Sequence, residues 1–209
     1  MIINDVNMLR RWQTTPYWDF EWDYTQGKLE NISGWATDIT TGYGTSIISD
    51  GEKFQGNNTS GYAQLYAASN GQCANVRRMI NGIGAMEVTF YCNYRSTDNN
   101  FRFTIRNDDD NNIKRITVFQ NNGKLRVFDN YTNSNCTAIG DFTNNTVYTL
   151  RLEMDGTNNK AYIDGSLVYN STTQSVYGGS NGPFWQQGNT GGSAYYGVLQ
   201  SLKLKSGSI

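Results

Sequence analysis

From residue 86 onward, apolar and polar residues alternate with a period of two. In "MEVTFYCNYR" Met86, Val88, Phe90, Cys92 and Tyr94 fall on one side, and Glu87, Thr89, Tyr91, Asn93 and Arg95 on the other. "FRFTIR" sets Phe101, Phe103 and Ile105 against Arg102, Thr104 and Arg106, and "VYTLRLEM" lines up Tyr148, Leu150, Leu152 and Met154. An extended chain points successive side chains to opposite faces, so this pattern suits strands with one face buried and the other in water. A helix needs apolar positions every three or four residues, and no long segment here supplies them.

Turn residues sit between these runs. Asn121-Asn122-Gly123 and Asp164-Gly165 offer the positive φ that tight hairpins require, and Asp155-Gly156-Thr157-Asn158-Asn159 makes a slightly longer connection. Asp108-Asp109-Asp110-Asn111-Asn112 joins two strands in the same manner. With 22 Gly, 2 Pro and repeated Asn-Asn pairs, the chain is built for turns. The expectation is an all-β fold: a two-sheet antiparallel β-sandwich of jelly-roll type, one domain over residues 1–209, with sheets of five to seven strands. The terminal segments should pair, since "YYGVLQSLKLK" needs a neighbour, and a short helical turn is expected at 73–80.

Composition excludes several functions. With no histidine, Ser-His-Asp and Cys-His catalysis and His-ligated metal sites are ruled out. A net charge of −1 gives no reason to expect nucleic acid as a partner. No apolar run approaches the roughly 20 residues of a membrane span, so no membrane insertion is expected. "MIINDVNMLRRW" lacks the apolar core of a secretory signal. Cys73, Cys92 and Cys136 allow one disulfide at most and lack metal-site spacing, which favours buried small hydrophobes.

Residues 147–169, "VYTLRLEMDGTNNKAYIDGSLVY", carry Asp155-Gly156 followed by Tyr162-Ile163-Asp164-Gly165 and an apolar strand. This resembles the hairpins of the concanavalin A-like lectin/glucanase superfamily, in particular its laminin G-like members. "YGVLQSLKL" looks like the closing strand of the same family, and "KLENISGW" with "SDGEKFQG" like its opening segment. The resemblance implies a concanavalin A-like jelly roll. It implies activities ranging from lectins and carbohydrate-binding modules to glycoside hydrolases, polysaccharide lyases and phage fibre modules. Retaining glycosidases of that superfamily carry Glu-x-Asp-x-x-Glu on a strand. Here Glu21 and Asp23 fill the first two places, but Gln26 stands third and cannot exchange a proton. Alternation turns Trp18, Phe20, Trp22 and Tyr24 to one side and Asp19, Glu21 and Asp23 to the other, which suits an opening strand.

Two ligand-binding candidates follow. In the Gly-rich, chargeless segment 176–197, read as a loop, Phe184 and Trp185 offer rings for sugar faces while Gln186 and Gln187 offer amides for hydroxyls. On the polar faces of strands, Tyr91, Arg95 and Arg102 would line a sheet suited to an extended saccharide, anionic ones included. Asp108 and Asp110 are the candidate ligands if calcium binds; no other cofactor is expected.

The expected function is non-catalytic attachment to a glycan or other surface component, by a protein outside the cell or on a virion, as a homo-oligomer in the virion case. The alternatives are a carboxylate-dependent glycoside hydrolase or polysaccharide lyase, and a purely structural virion module.

Overall fold

A computed structural model describes residues 18–32, 35–39, 43–56, 61–67, 83–93, 101–109, 112–129, 137–172, 184–189 and 196–209. Their strands form two antiparallel sheets. The eight-stranded sheet runs β13 (Ser166–Ser171), β12 (Asn159–Ile163), β11 (Tyr148–Met154), β6 (Gly84–Asn93), β15 (Tyr196–Ser206), β4 (Gly51–Gly56) and β3 (Tyr43–Ile48). A short β1 (Phe20–Asp23) pairs with the far half of β15, so the two ends of the described chain meet. The seven-stranded sheet runs β10 (Thr137–Asp141), β9 (Lys124–Asp129), β8 (Asn112–Asn121), β7 (Phe101–Asp109), β14 (Phe184–Asn189), β5 (Gly61–Ala67) and β2 (Trp35–Ile39). The sheets are thus one strand larger than expected on one side. The expected helical turn at 73–80 lies outside the described residues.

One core joins the two sheets. Met86, Val88, Phe90, Leu150, Leu152 and Phe54 from the first pack with Ile116, Val118, Leu125 and Val127 from the second, all fully buried. The turns match their residues. Asn122 and Gly123 (φ 51° and 68°) close β8 onto β9, and Asp164 and Gly165 (φ 49° and 79°) close β12 onto β13. Asp155 holds its loop by accepting from the Thr157 and Asn158 N–H groups and from Lys160.

The last strand has to change parity partway. Leu199 faces the core opposite Phe90, yet Leu202 and Leu204 face it too, three and five residues later. A one-residue slip between Leu199 and Ser201 makes this work, since an extra residue switches every following side chain to the other face. Downstream of it, Leu202 and Leu204 meet Trp22 and Phe20. Trp18 departs from the expected inward face. Lying just before β1, it has Arg151 5.1 Å and Lys203 5.9 Å from its ring, on the outer side of the sheet. Cys92 is fully buried in the core; Cys73 and Cys136 fall outside the described residues.

Among the described glycines, Gly51 is the one most tightly enclosed. A Cβ there would lie 2.3 Å from Val198 Cγ1 and 2.9 Å from the Leu199 carbonyl oxygen. Leu199 pairs with Glu52 across the ladder, so that oxygen cannot withdraw freely. Gly51→Ala is expected to cost roughly 1–3 kcal/mol, seen as a lower urea midpoint at unchanged m-value.

Candidate functional site

The buried residues of the seven-stranded sheet assign its two faces. Ile116 and Val118 on β8 and Leu125 and Val127 on β9 point into the core. Register carries the assignment across the neighbouring strands. Val118 stands opposite Phe103, Phe103 opposite Trp185, and Trp185 opposite Leu65, so these share the inner face. The next residues along belong to the outer face.

Two rows cross that outer face. The first reads Arg126, Phe119, Arg102, Gln186, Gln64 and Asp38, from β9 to β2. The second, two residues along, reads Phe128, Thr117, Thr104, Phe184, Tyr66 and Ala36. Strands lie about 4.8 Å apart and alternate residues about 7 Å, so each row extends roughly 24 Å and the two are close enough to share one extended ligand. Between them, by register, the two rows place aromatic, amide, hydroxyl and guanidinium residues on one face: amides and arginines in the first, hydroxyls in the second, rings in each. Rings cover apolar sugar faces, amides and hydroxyls bond sugar hydroxyls, and guanidinium forks match carboxylates and sulfates.

The structure redistributes the candidates read from sequence. Phe184–Asn189 is a strand with neighbours on both sides, not part of a loop. Its alternation separates the four candidates: Phe184 and Gln186 are on the outer face, Trp185 and Gln187 on the inner. Arg102 pairs with Gln186, so two separately proposed sites merge there. Tyr91 leaves the group, because β6 belongs to the other sheet. Arg95 and Asp110 lie outside the described residues. Asp108 pairs with Ile113 near the end of β7, and among the described residues no group of three or more His, Cys, Asp or Glu is placed to hold a metal ion.

Tyr91 has local partners instead. Its hydroxyl donates to Asp50 Oδ1 at 3.2 Å, and its ring meets Tyr196 edge-on at 6.5 Å. Burial, then the bond to Asp50 and its charge, push the phenol up to about 12, so it stays a donor. Much of the outer face of the eight-stranded sheet pairs within itself. Arg151 meets Glu153 at 2.6 Å, Lys203 meets Glu87 at 3.4 Å, and the Tyr162 hydroxyl donates to Glu153. Glu21 is exposed, while Asp23 caps the turn Tyr24–Gln26 by accepting from the Thr25 N–H.

Sequence alone did not single out Phe119, Arg126, Gln64 or Tyr66. The alternation of "IKRITVFQ" puts Arg115, Thr117 and Phe119 on one face, but only pairing shows that β9 and β7 flank them. Glu52 was missed as well. It is fully buried, with Oε2 accepting from the Leu29 N–H at 2.8 Å and Oε1 unpartnered.

No protein-family model matches the chain, and no curated protein matches it in sequence. Solved structures do. The lumenal domain of VIP36 in its Ca2+/Man3GlcNAc-bound form superposes with a TM-score of 0.63 at 9% identity, covering 91% of this chain and 90% of that one. The carbohydrate-binding module CBM66 from Bacillus subtilis gives 0.51 at 17% identity, covering 84% and 98%. A sialidase gives 0.63 at 10% identity over 90% of this chain, which spans only 18% of the sialidase. The fold is therefore the all-β, antiparallel, concanavalin A-like sandwich of lectins and glucanases. No helix among the described residues is long and apolar enough to cross a membrane.

Proposed function

We propose that the chain is a carbohydrate-binding module that holds a glycan along the outer face of its seven-stranded sheet without transforming it. One observation carries this reading: Phe184, Gln186 and Arg102 occupy adjoining positions there, with Phe119, Gln64 and Tyr66 extending the same two rows. Neighbours that are themselves named for carbohydrate recognition, among them the Emp47p carbohydrate recognition domain, support the choice of ligand. The setting we propose with it, outside a cell or on a virion, rests on the Asn-rich composition.

A glycan array probed with the wild-type chain, Phe184→Ala and Gln186→Ala tests the proposal. Binding by the wild type and a loss of about tenfold or more in Phe184→Ala are expected, as for a ring at the centre of a contact. Circular dichroism confirms that each variant is folded. Turnover of a bound glycan would instead favour the hydrolase or lyase alternative.

A further inference from the structure

We infer that the outer face of the seven-stranded sheet is selective for acidic saccharides, those bearing carboxylate or sulfate groups; this rests on the glycan-binding reading above. The chain as a whole is nearly neutral, with 17 Lys and Arg against 18 Asp and Glu. This face is not. Arg106 on β7 stands directly opposite Arg115 on β8, and like charges in that position are destabilising unless something neutralises them. Two rows along, beyond Thr104 and Thr117, Arg102 and Arg126 take the register positions on either side of Phe119.

Among the described residues, the acids that register places on this face are few or far from the arginines. Asp108 stands in the row next to Arg106 and Arg115, one acid against two bases. Asp38 stands three strands from Arg102, about 14 Å, beyond the screening length of physiological salt. Asp141 is taken by Lys124. Arg126 keeps a buried Nε with no hydrogen-bond partner. Four arginines that register places on one sheet face, with Phe119 in the row of two of them, supply planar forks that an anionic sugar chain would satisfy together. Carboxylates and sulfates accept paired N–H bonds, while the ring covers the sugar's apolar face.

Calorimetric titration of the full chain tests this with a polyuronate, a sulfated galactan, a neutral glucan, a neutral mannan and a single-stranded oligonucleotide. Titrations are run at low and physiological salt. The variants are Arg102→Gln and Arg106→Gln, with Lys203→Gln on the other sheet as an equal change of charge. The expected result is binding of at least one acidic polymer, weakened by salt and by about tenfold or more in each Arg variant, but unchanged in Lys203→Gln. Arg106→Gln should also raise the Tm of the unliganded chain, because it removes the like-charge pair. Binding of only the polyuronate or only the sulfated galactan supports the inference and identifies the anion. Equal or tighter binding of neutral polymers would overturn it and leave the glycan reading standing. Equal losses in Lys203→Gln would overturn it as nonspecific charge. Preference for the oligonucleotide, or no binding of any polymer, would overturn both.

Discussion

Glu52→Gln is expected to stabilise the protein by about 3 kcal/mol above pH 8 and to change little at pH 4. Glu52 lies on β4 with the parity of Phe54, which turns its carboxyl into the core. Burial pushes it up to about 7 from an ordinary 4.5. The Leu29 N–H opposes that shift, Glu30 adds to it, and Lys28 and Thr45 oppose it. Below pH 4.5 the carboxyl is protonated whether the chain is folded or not. As pH rises from 4.5 to 7 the unfolded chain gives up the proton first, so stability falls and stays low above 7. Gln keeps an oxygen for the Leu29 N–H and never ionises. Urea midpoints of both proteins at pH 4 and pH 8, at constant m-value, check this. An identical pH slope in the two would contradict it.

Trp22→Ala should cost about 3–5 kcal/mol, a fall of roughly 10 °C in Tm for a chain of this size. Trp22 is 1% exposed and its indole N–H donates to the Gly27 carbonyl at 3.1 Å. It sits opposite Leu202 on an edge strand of four residues. Truncation opens a cavity and removes the main apolar anchor between β1 and the rest of the sheet. Glu21→Gln, one residue away on the exposed side, should stay within about 0.5 kcal/mol. Thermal unfolding of the two variants separates a packed opening strand from a strand kept for its carboxylates. Comparable losses in both would contradict the structural account of "FEWD".

Strands that bury one face could be read directly from sequence. β6, β7 and β11 each alternate cleanly, and their inward residues were assigned from parity alone. The spacing from Leu199 to Leu202 also broke the period where β15 slips. β14 was unreadable for a physical reason. In "FWQQGN" the two parities read Phe-Gln-Gly and Trp-Gln-Asn, so neither face is distinctly apolar, and its Gly-rich, chargeless flanks looked like a loop. Its place between β5 and β7 depends on pairing over long sequence separations, which no local pattern encodes. The candidate face was therefore visible only in pieces. Arg102 and Phe184 were each noticed, but their adjacency required the register. Glu52 carried a usable signal, a carboxylate two residues from a core Phe, whose parity went unread.

The central claim is that a glycan lies along the outer face of the seven-stranded sheet. The most direct measurement is amide chemical-shift mapping of the 15N-labelled chain during titration with the glycan that an array selects. The expected result is that the largest changes fall on β7, β8 and β14, around Arg102, Phe119 and Gln186, with β11, β12 and β13 unmoved. Changes concentrated on the eight-stranded sheet, or a chain that binds no glycan at all, would contradict it.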